Sequence, residues 1–190
     1  DNLNKLYSEE IDYRRIEFVG PTVSKDLIKD GILAITLAII AMLIYIWFRF
    51  ELPFAIGAVI ALIHDIALTI GMFAISGLEF NLSTVAALLL IIGYSMNDTV
   101  VVYDRIRENL KKYKKMSLPE LFNKSLNETL SRTINTTFTT IIALTALCIF
   151  GGNIIKDFSF AMMWGIVIGT YSSIFVATPI LLNLDVRKKY

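Results

Sequence analysis

Five stretches of this chain are each apolar for about the roughly 20 residues needed to cross the hydrocarbon core of a bilayer. They run from Ile28 to Phe48, Phe54 to Ile75, Leu82 to Val102, Ile134 to Phe150 and Phe158 to Leu184. In that layer every backbone N–H and C=O must be bonded within its own segment, so such runs fold as helices. With 55% of 190 residues hydrophobic, 18% charged and a mean hydropathy of +0.62, the chain is too oily for a soluble domain. The sequence predicts an all-α membrane protein, a five-helix transmembrane bundle with a short extracytoplasmic tail.

Short connections make neighbouring spans antiparallel. The turn Arg49-Phe50-Glu51-Leu52-Pro53 joins the first two and Gly77-Leu78-Glu79-Phe80-Asn81 the next two; Pro53 suits the first turn of a new helix. Basic residues in short loops set the orientation. Arg105, Arg107, Lys111, Lys112, Lys114, Lys115, Lys124 and Arg132 lie between the third and fourth spans, and Arg187, Lys188 and Lys189 follow the fifth. Both segments are expected in the cytoplasm, which puts the opposite short loops, nearly free of positive charge, outside.

The expected organisation is then 1–27 as the end of an extracytoplasmic domain, 28–102 as three spans and 103–131 as a cytoplasmic amphipathic linker. Two further spans occupy 132–184, and 185–190 form a cytoplasmic tail. In the outer tail Ile11, Tyr13, Ile16 and Phe18 are spaced like a half-buried strand. In the linker, Ser117 and Glu120 have the spacing of a capping box, and Leu118, Leu121, Phe122, Leu126 and Leu130 recur at helical intervals, predicting a helix along the membrane surface. The Lys111-to-Lys115 cluster reads as a solvated, inside-retained charge run. The chain opens without an initiator Met or an apolar leader, so it is expected to start partway through a longer protein.

Charge and cysteine content narrow the function. Basic and acidic residues number 18 and 17, so no net field recruits nucleic acid. Cys148 is the single cysteine, and neither a disulfide framework, a thiolate metal site nor any cofactor is expected. The polar groups inside the spans are the informative ones. Asn97 and Asp98 sit within the third apolar run, where a carboxylate is costly unless protonated, paired or wetted, and so marks a functional site by default. Helical spacing sets Tyr94, Asn97, Asp98, Val101 and Arg105 along one face. The fourth span opens with a second polar stripe, Arg132, Asn135, Thr136, Thr139 and Thr140, from the same side, so a meeting of Arg132 with Asp98 is geometrically reasonable. Arginine keeps its proton in essentially any environment, and moving it toward or away from Asp98 would switch the carboxyl proton off and on. A fixed ion pair that only sets helix register is the structural alternative.

His64 and Asp65 lie near the middle of the second span. Being consecutive, they point about 100° apart; they could line a proton path or simply tie helices together. Gly57 with Ala61, and Gly165 with Gly169, have the small-xxx-small spacing of close helix packing. Pro179 is expected to kink the last span. An intramembrane aspartyl protease would need Asp65 and Asp98 to share a proton, yet their positions along the helices put them roughly 10 Å apart in depth. No zinc-protease helix motif or serine elbow is present either, so an enzyme is not expected.

From about Glu17 onward the chain resembles the SecF family, subunits of the SecDF protein-export accessory complex in the RND superfamily. The likeness rests on FVGPTVSKDL, LIHDIALTIG, GLEFNLSTVAALLLIIGYSMNDTVVVYDRIREN and SRTINTTFTT. It implies a six-span RND-type half of which five spans are present, and partnership with SecD beside the SecYEG channel, in contact with a translocating preprotein and membrane lipid. It also implies that proton flow drives late export at the bacterial cytoplasmic membrane, with Asp98 as the proton-path aspartate and Arg132 as the essential arginine. An RND-type exporter of small molecules or lipids, and a non-transporting translocon scaffold, are the alternative expectations.

Overall fold

A computed structural model describes residues 21–77, 81–184 and 186–189. Among them the chain is entirely helical: α1 (Pro21–Arg49), α2 (Leu52–Ser76), α3 (Leu82–Lys112), α4 (Leu118–Phe150), α5 (Gly152–Ser172), one π-helical turn (Ser173–Ala177), α6 (Thr178–Asn183) and a 3₁₀ turn (Val186–Lys189). Five helices are long and apolar enough to cross a membrane, the fifth running through α5, the π-turn and α6. The strand-like pattern of Ile11 to Phe18, and Leu78 to Phe80 of the second connection, lie outside the described residues.

Local signals account for most helix ends. Pro53 occupies the first turn of α2, where its missing N–H breaks no helical bond. Gly77 closes α2 with φ 69°, a left-handed backbone that glycine adopts at no steric cost. Asn81 caps α3 by accepting from the amides of Ser83 and Thr84 at 2.9 and 3.2 Å, while Thr84 Oγ1 accepts from the Asn81 amide at 3.3 Å. This reciprocal box was not among the sequence expectations. The expected one at Ser117 marks the start of α4, but the Ser117 side chain makes no capping bond.

Two expectations change in form. The amphipathic segment from Leu118 does not make a separate surface helix; it runs unbroken into the fourth span as one helix of 33 residues. α3 likewise continues through its basic end for 31 residues, about 46 Å at 1.5 Å per residue. The two protruding ends pack on each other, with Leu110, Leu121 and Phe122 buried. Asn109, 3% exposed, donates to Ser125 Oγ at 2.9 Å and to Glu128 at 2.8 Å, and Arg105 also reaches Glu128 at 2.7 Å. These apolar and polar contacts hold the two helix ends together beyond the apolar part of each span.

Pro179 acts upstream of itself. A proline cannot donate to the ladder and crowds the carbonyl one turn back; here the chain relaxes by widening residues 173–177 into a π-turn, and Thr178 Oγ1 donates to the Ser173 carbonyl at 2.8 Å. The Ala177 carbonyl, at the end of the π-turn, accepts from Tyr103 on α3 at 3.1 Å. Tyr103 is fully buried, edge-on to Phe54 and Phe50.

α3 is the centre of the bundle, flanked by α2, α4 and α5. One core cluster gathers Phe54, Leu62, Tyr103, Ile106 and Leu181, and a second Phe73, Ala87, Ile91, Ala161 and Ile166. α1 and the span part of α4 keep much of their apolar surface outward, with Ile32, Leu37, Trp47, Phe138 and Ile142 all exposed. In lipid that exposure carries no hydrophobic penalty.

Candidate functional site

The polar residues within the spans form two linked groups around α3. The first is built on Asp65, 0% exposed. Its Oδ2 accepts from Ser95 Oγ of α3 at 2.5 Å and from Ser172 Oγ of α5 at 2.8 Å, and its Oδ1 lies 3.0 Å from His64 Nδ1. Consecutive residues were expected to diverge. The His64 ring instead folds back over its neighbour, half-buried and stacked toward Tyr171 at 6.4 Å between centroids. Two hydroxyl donors, from α3 and α5, and the neighbouring imidazole thus converge on one carboxyl group, a stronger arrangement than its place in the sequence suggested.

The second group is built on Asp98, 3% exposed. Its partner is Thr170 of α5, whose Oγ1 donates to Oδ2 at 3.3 Å; the same Oγ1 lies 2.7 Å from Thr137 Oγ1 of α4. Arg132 is close enough for its charge to act on Asp98, yet no ion pair joins them among the described residues. The expected direct meeting is therefore absent, and the Arg132 side chain is exposed at the outer face of α4.

The proposed single face of α3 also divides. Tyr94 points toward α4, donating to Thr136 O and Thr140 Oγ1, each at 3.0 Å. Asp98 points toward α5. Asn97 is exposed and lines a groove of about 430 Å³ against α1, with Met42, Tyr45 and Gly93. Arg105 lies beyond, paired with Glu108 and Glu128. The threonines of α4 mostly bond their own helix: Thr136 to Arg132 O, Thr139 to Asn135 O and Thr140 to Thr136 O.

Because Ser95 meets Asp65, that point of α3 fixes the depth of Asp65, and Asp98 follows it by one helical turn, about 4.5 Å along the axis. This is under half the offset expected from the sequence. The two carboxylates still do not form a dyad, since Ser95, Ser172 and His64 occupy the Asp65 oxygens. Each is bonded to α5, Asp65 through Ser172 and Asp98 through Thr170, and beside these points Ser172 and Ser173 both reach Gly169 O at 3.1 and 2.9 Å while Ser173 meets Thr99 at 3.0 Å.

Glycines make this closeness possible. A Cβ on Gly169 would lie 2.8 Å from Ser95 Cβ, and one on Gly165 would run into the Ile91 side chain, so α5 rests directly on α3. A Cβ on Gly57 would lie 2.6 Å from the Tyr103 hydroxyl. Ala61, one turn on, is buried at 1% exposure.

The family described as "Protein export membrane protein SecD/SecF, C-terminal" matches residues 1–187. The chain belongs to this SecD/SecF family. It is 50% identical over 189 residues to protein translocase subunit SecF of Rickettsia rickettsii (strain Sheila Smith), covering 100% of this chain and 61% of that protein. To the SecF of Cereibacter sphaeroides it is 54% identical over 184 residues, covering 97% and 57%. The chain thus spans about three fifths of the length of these curated relatives. Among solved structures, the crystal structure of SecDF, a translocon-associated membrane protein from Thermus thermophilus, superposes with a TM-score of 0.82 at 42% identity, over 86% of this chain and 23% of that one. SecDF in a super-membrane-facing form gives 0.79 at 40% identity, over 90% and 23%. The family membership and the SecDF-like fold agree with the resemblance seen in the sequence, and the apolar helices make the chain a membrane protein.

Proposed function

We propose that this chain is the membrane-embedded part of a proton-driven accessory subunit of protein export, acting in the bacterial cytoplasmic membrane. On this reading residues 1–27 end an extracytoplasmic domain, the 103–131 segment and the C-terminus lie in the cytoplasm, and SecD supplies the facing half of the bundle. The SecYEG channel and its translocating preprotein are the objects of the work, and lipid covers the remaining apolar faces. The role is conformational, not enzymatic.

The observation that carries this reading is Asp98: buried between α3 and α5, held by one hydroxyl, with the Arg132 charge near it but unpaired. A register-setting ion pair would be closed and static. An acid whose cationic neighbour stands off can change partners, and two helix packings can then exchange with its proton. Asp65, one turn away and bonded by Ser95, Ser172 and His64, is read with His64 as the anchored end of the same polar seam, and Asn97 as its exposed flank. The exposed Arg132, Asn135 and Thr139 stripe of α4 is costly against lipid and suits a protein partner in the membrane.

The test is Asp98→Asn in the intact complex with SecD. Proton-driven preprotein export should be lost while assembly is retained; undiminished export would remove Asp98 from the mechanism. In liposomes, Arg132→Met should abolish proton flux, whereas a scaffold would have no flux to lose.

A further inference from the structure

The donor order of the hydroxyls around Asp98 depends on whether that carboxyl carries a proton. Thr170 has one hydroxyl proton, and if it donates to the Asp98 carboxylate it must accept from Thr137 at 2.7 Å. The chain then reads Thr137 O–H to Thr170 O–H to carboxylate, across α4, α5 and α3. When Asp98 takes up a proton, its own O–H becomes the donor, Thr170 turns to donate to Thr137, and Thr137 must send its proton elsewhere on α4. Its neighbours Thr136, Thr139 and Thr140 already bond backbone carbonyls one turn back. Thr133, 2% exposed and one turn away on the same face, has a hydroxyl with no partner among the described residues.

We infer that Thr170 and Thr137 form a two-hydroxyl relay through which the protonation of Asp98 is passed to α4, the helix that carries Arg132. Thr170 is a positioning residue that touches the proton-bearing group; Thr137 acts through it. The charged and titratable groups around Asp98 are Arg132 from α4, Tyr94 from its own helix and, one turn toward the N-terminus of α3, Asp65 and His64 from α2; α5 faces it with Thr170. The relay is the one hydrogen-bonded route from Asp98 to α4 among the described residues, since Tyr94 contacts Thr136 and Thr140 without touching Asp98. Reversing a hydrogen bond to a charged group is enough to bias the packing of α4.

This inference rests on the proton-coupled reading above, and its test separates the two. In the reconstituted complex with SecD, proton flux is measured for Asp98→Asn, Thr170→Val, Thr170→Ser, Thr137→Val and the Thr170→Val/Thr137→Val pair. Thr170→Val keeps the shape and removes the relay, and should lower flux about tenfold or more, by loss of a hydrogen bond to a charged group. Thr170→Ser should stay within about twofold of the parent, and the double variant should be no worse than the worse single, the non-additivity of a shared path. If Asp98→Asn abolishes flux but Thr170→Val does not, the relay is wrong and the proton site stands. If Asp98→Asn leaves flux intact, the underlying reading is wrong. Additive losses in the double variant, or failure of serine to rescue, would mark a packing role and overturn the relay. Should Thr170→Val not assemble, Thr137→Val at its half-buried site carries the same expectation.

Discussion

Replacing Gly169 by alanine would place a methyl carbon 2.8 Å from Ser95 Cβ and 3.2 Å from Ser95 Cα. Carbon atoms at rest sit about 3.5–4.0 Å apart, and the obstacle includes the α3 backbone, which cannot rotate aside as the end of a long side chain can. α5 and α3 must therefore separate by about 0.8 Å, where they also carry the Ser95 to Asp65 and Ser172 to Asp65 bonds. Overpacking of this kind costs about 1–3 kcal/mol. At about 2–4 °C per kcal/mol for a chain of this size, the midpoint of thermal unfolding should fall by about 4–8 °C for a mid-range cost of about 2 kcal/mol. The control is Gly71→Ala on α2, where a Cβ meets nothing within 4 Å; alanine's better helix propensity should leave it neutral or up to about 1 kcal/mol more stable. Both variants can be followed in detergent by the fluorescence of Trp164, which sits on α5 itself. Equal midpoints for Gly169→Ala and Gly71→Ala would refute the claim that glycine sets the α3–α5 distance.

Two more outcomes follow from the buried polar contacts. Asp65→Asn should retain the fold, because the amide oxygen can still accept from Ser95 or Ser172, whereas Asp65→Leu should lose about 1–3 kcal/mol; Ser172 can fall back on Gly169 O but the Ser95 hydroxyl bonds no other acceptor among the described residues. Thermal unfolding of the two variants side by side decides this, and equal midpoints would count against the hub. Asn109→Ala should cost about 1–2 kcal/mol by releasing Ser125 and Glu128, and protease should then cut first in the loop between α3 and α4; unchanged cleavage would show that the apolar contacts alone hold that junction.

The spans were legible because bilayer thickness imposes a length on apolar runs that survives in a single sequence. Helix continuity was not. The charges of Arg105 to Lys115 and the polar start of α4 look like the end of one element and the start of another, whereas the packing of Leu110, Leu121 and Phe122, with the bonds of Asn109 and Arg105 to Glu128, continues both helices through this stretch. Asp98 announced itself through cost alone, and its burial follows from that cost. Asp65 was undervalued because its meaning lies in Ser95 and Ser172, separated from it by 30 and 107 residues. Single serines in apolar runs are unexceptional until folding brings them to one carboxylate. The two serines and two threonines in Ser95, Ser172, Thr137 and Thr170 are small enough to hide in spans; a search for every hydroxyl facing the small-residue seam of α5 would have found the last of them beside Gly169.

The same physics explains why the Arg132 to Asp98 contact was expected and is not made. Sequence spacing places both residues near the same end of their helices, but azimuth is set by packing. α5 lies against both α3 and α4, and Gly165 and Gly169 let it come close enough that Thr170, not Arg132, reaches the carboxylate. The arginine is left on the exposed face with Asn135 and Thr139. A guanidinium in that position has two ways to lower its free energy in a membrane: to move inward onto Asp98 when that acid is charged, or to meet a polar partner from outside the chain when it is not. On the proton-coupled function proposed above, the seam of small residues and hydroxyls leaves both alternatives open, because Thr170 and not Arg132 holds the carboxylate.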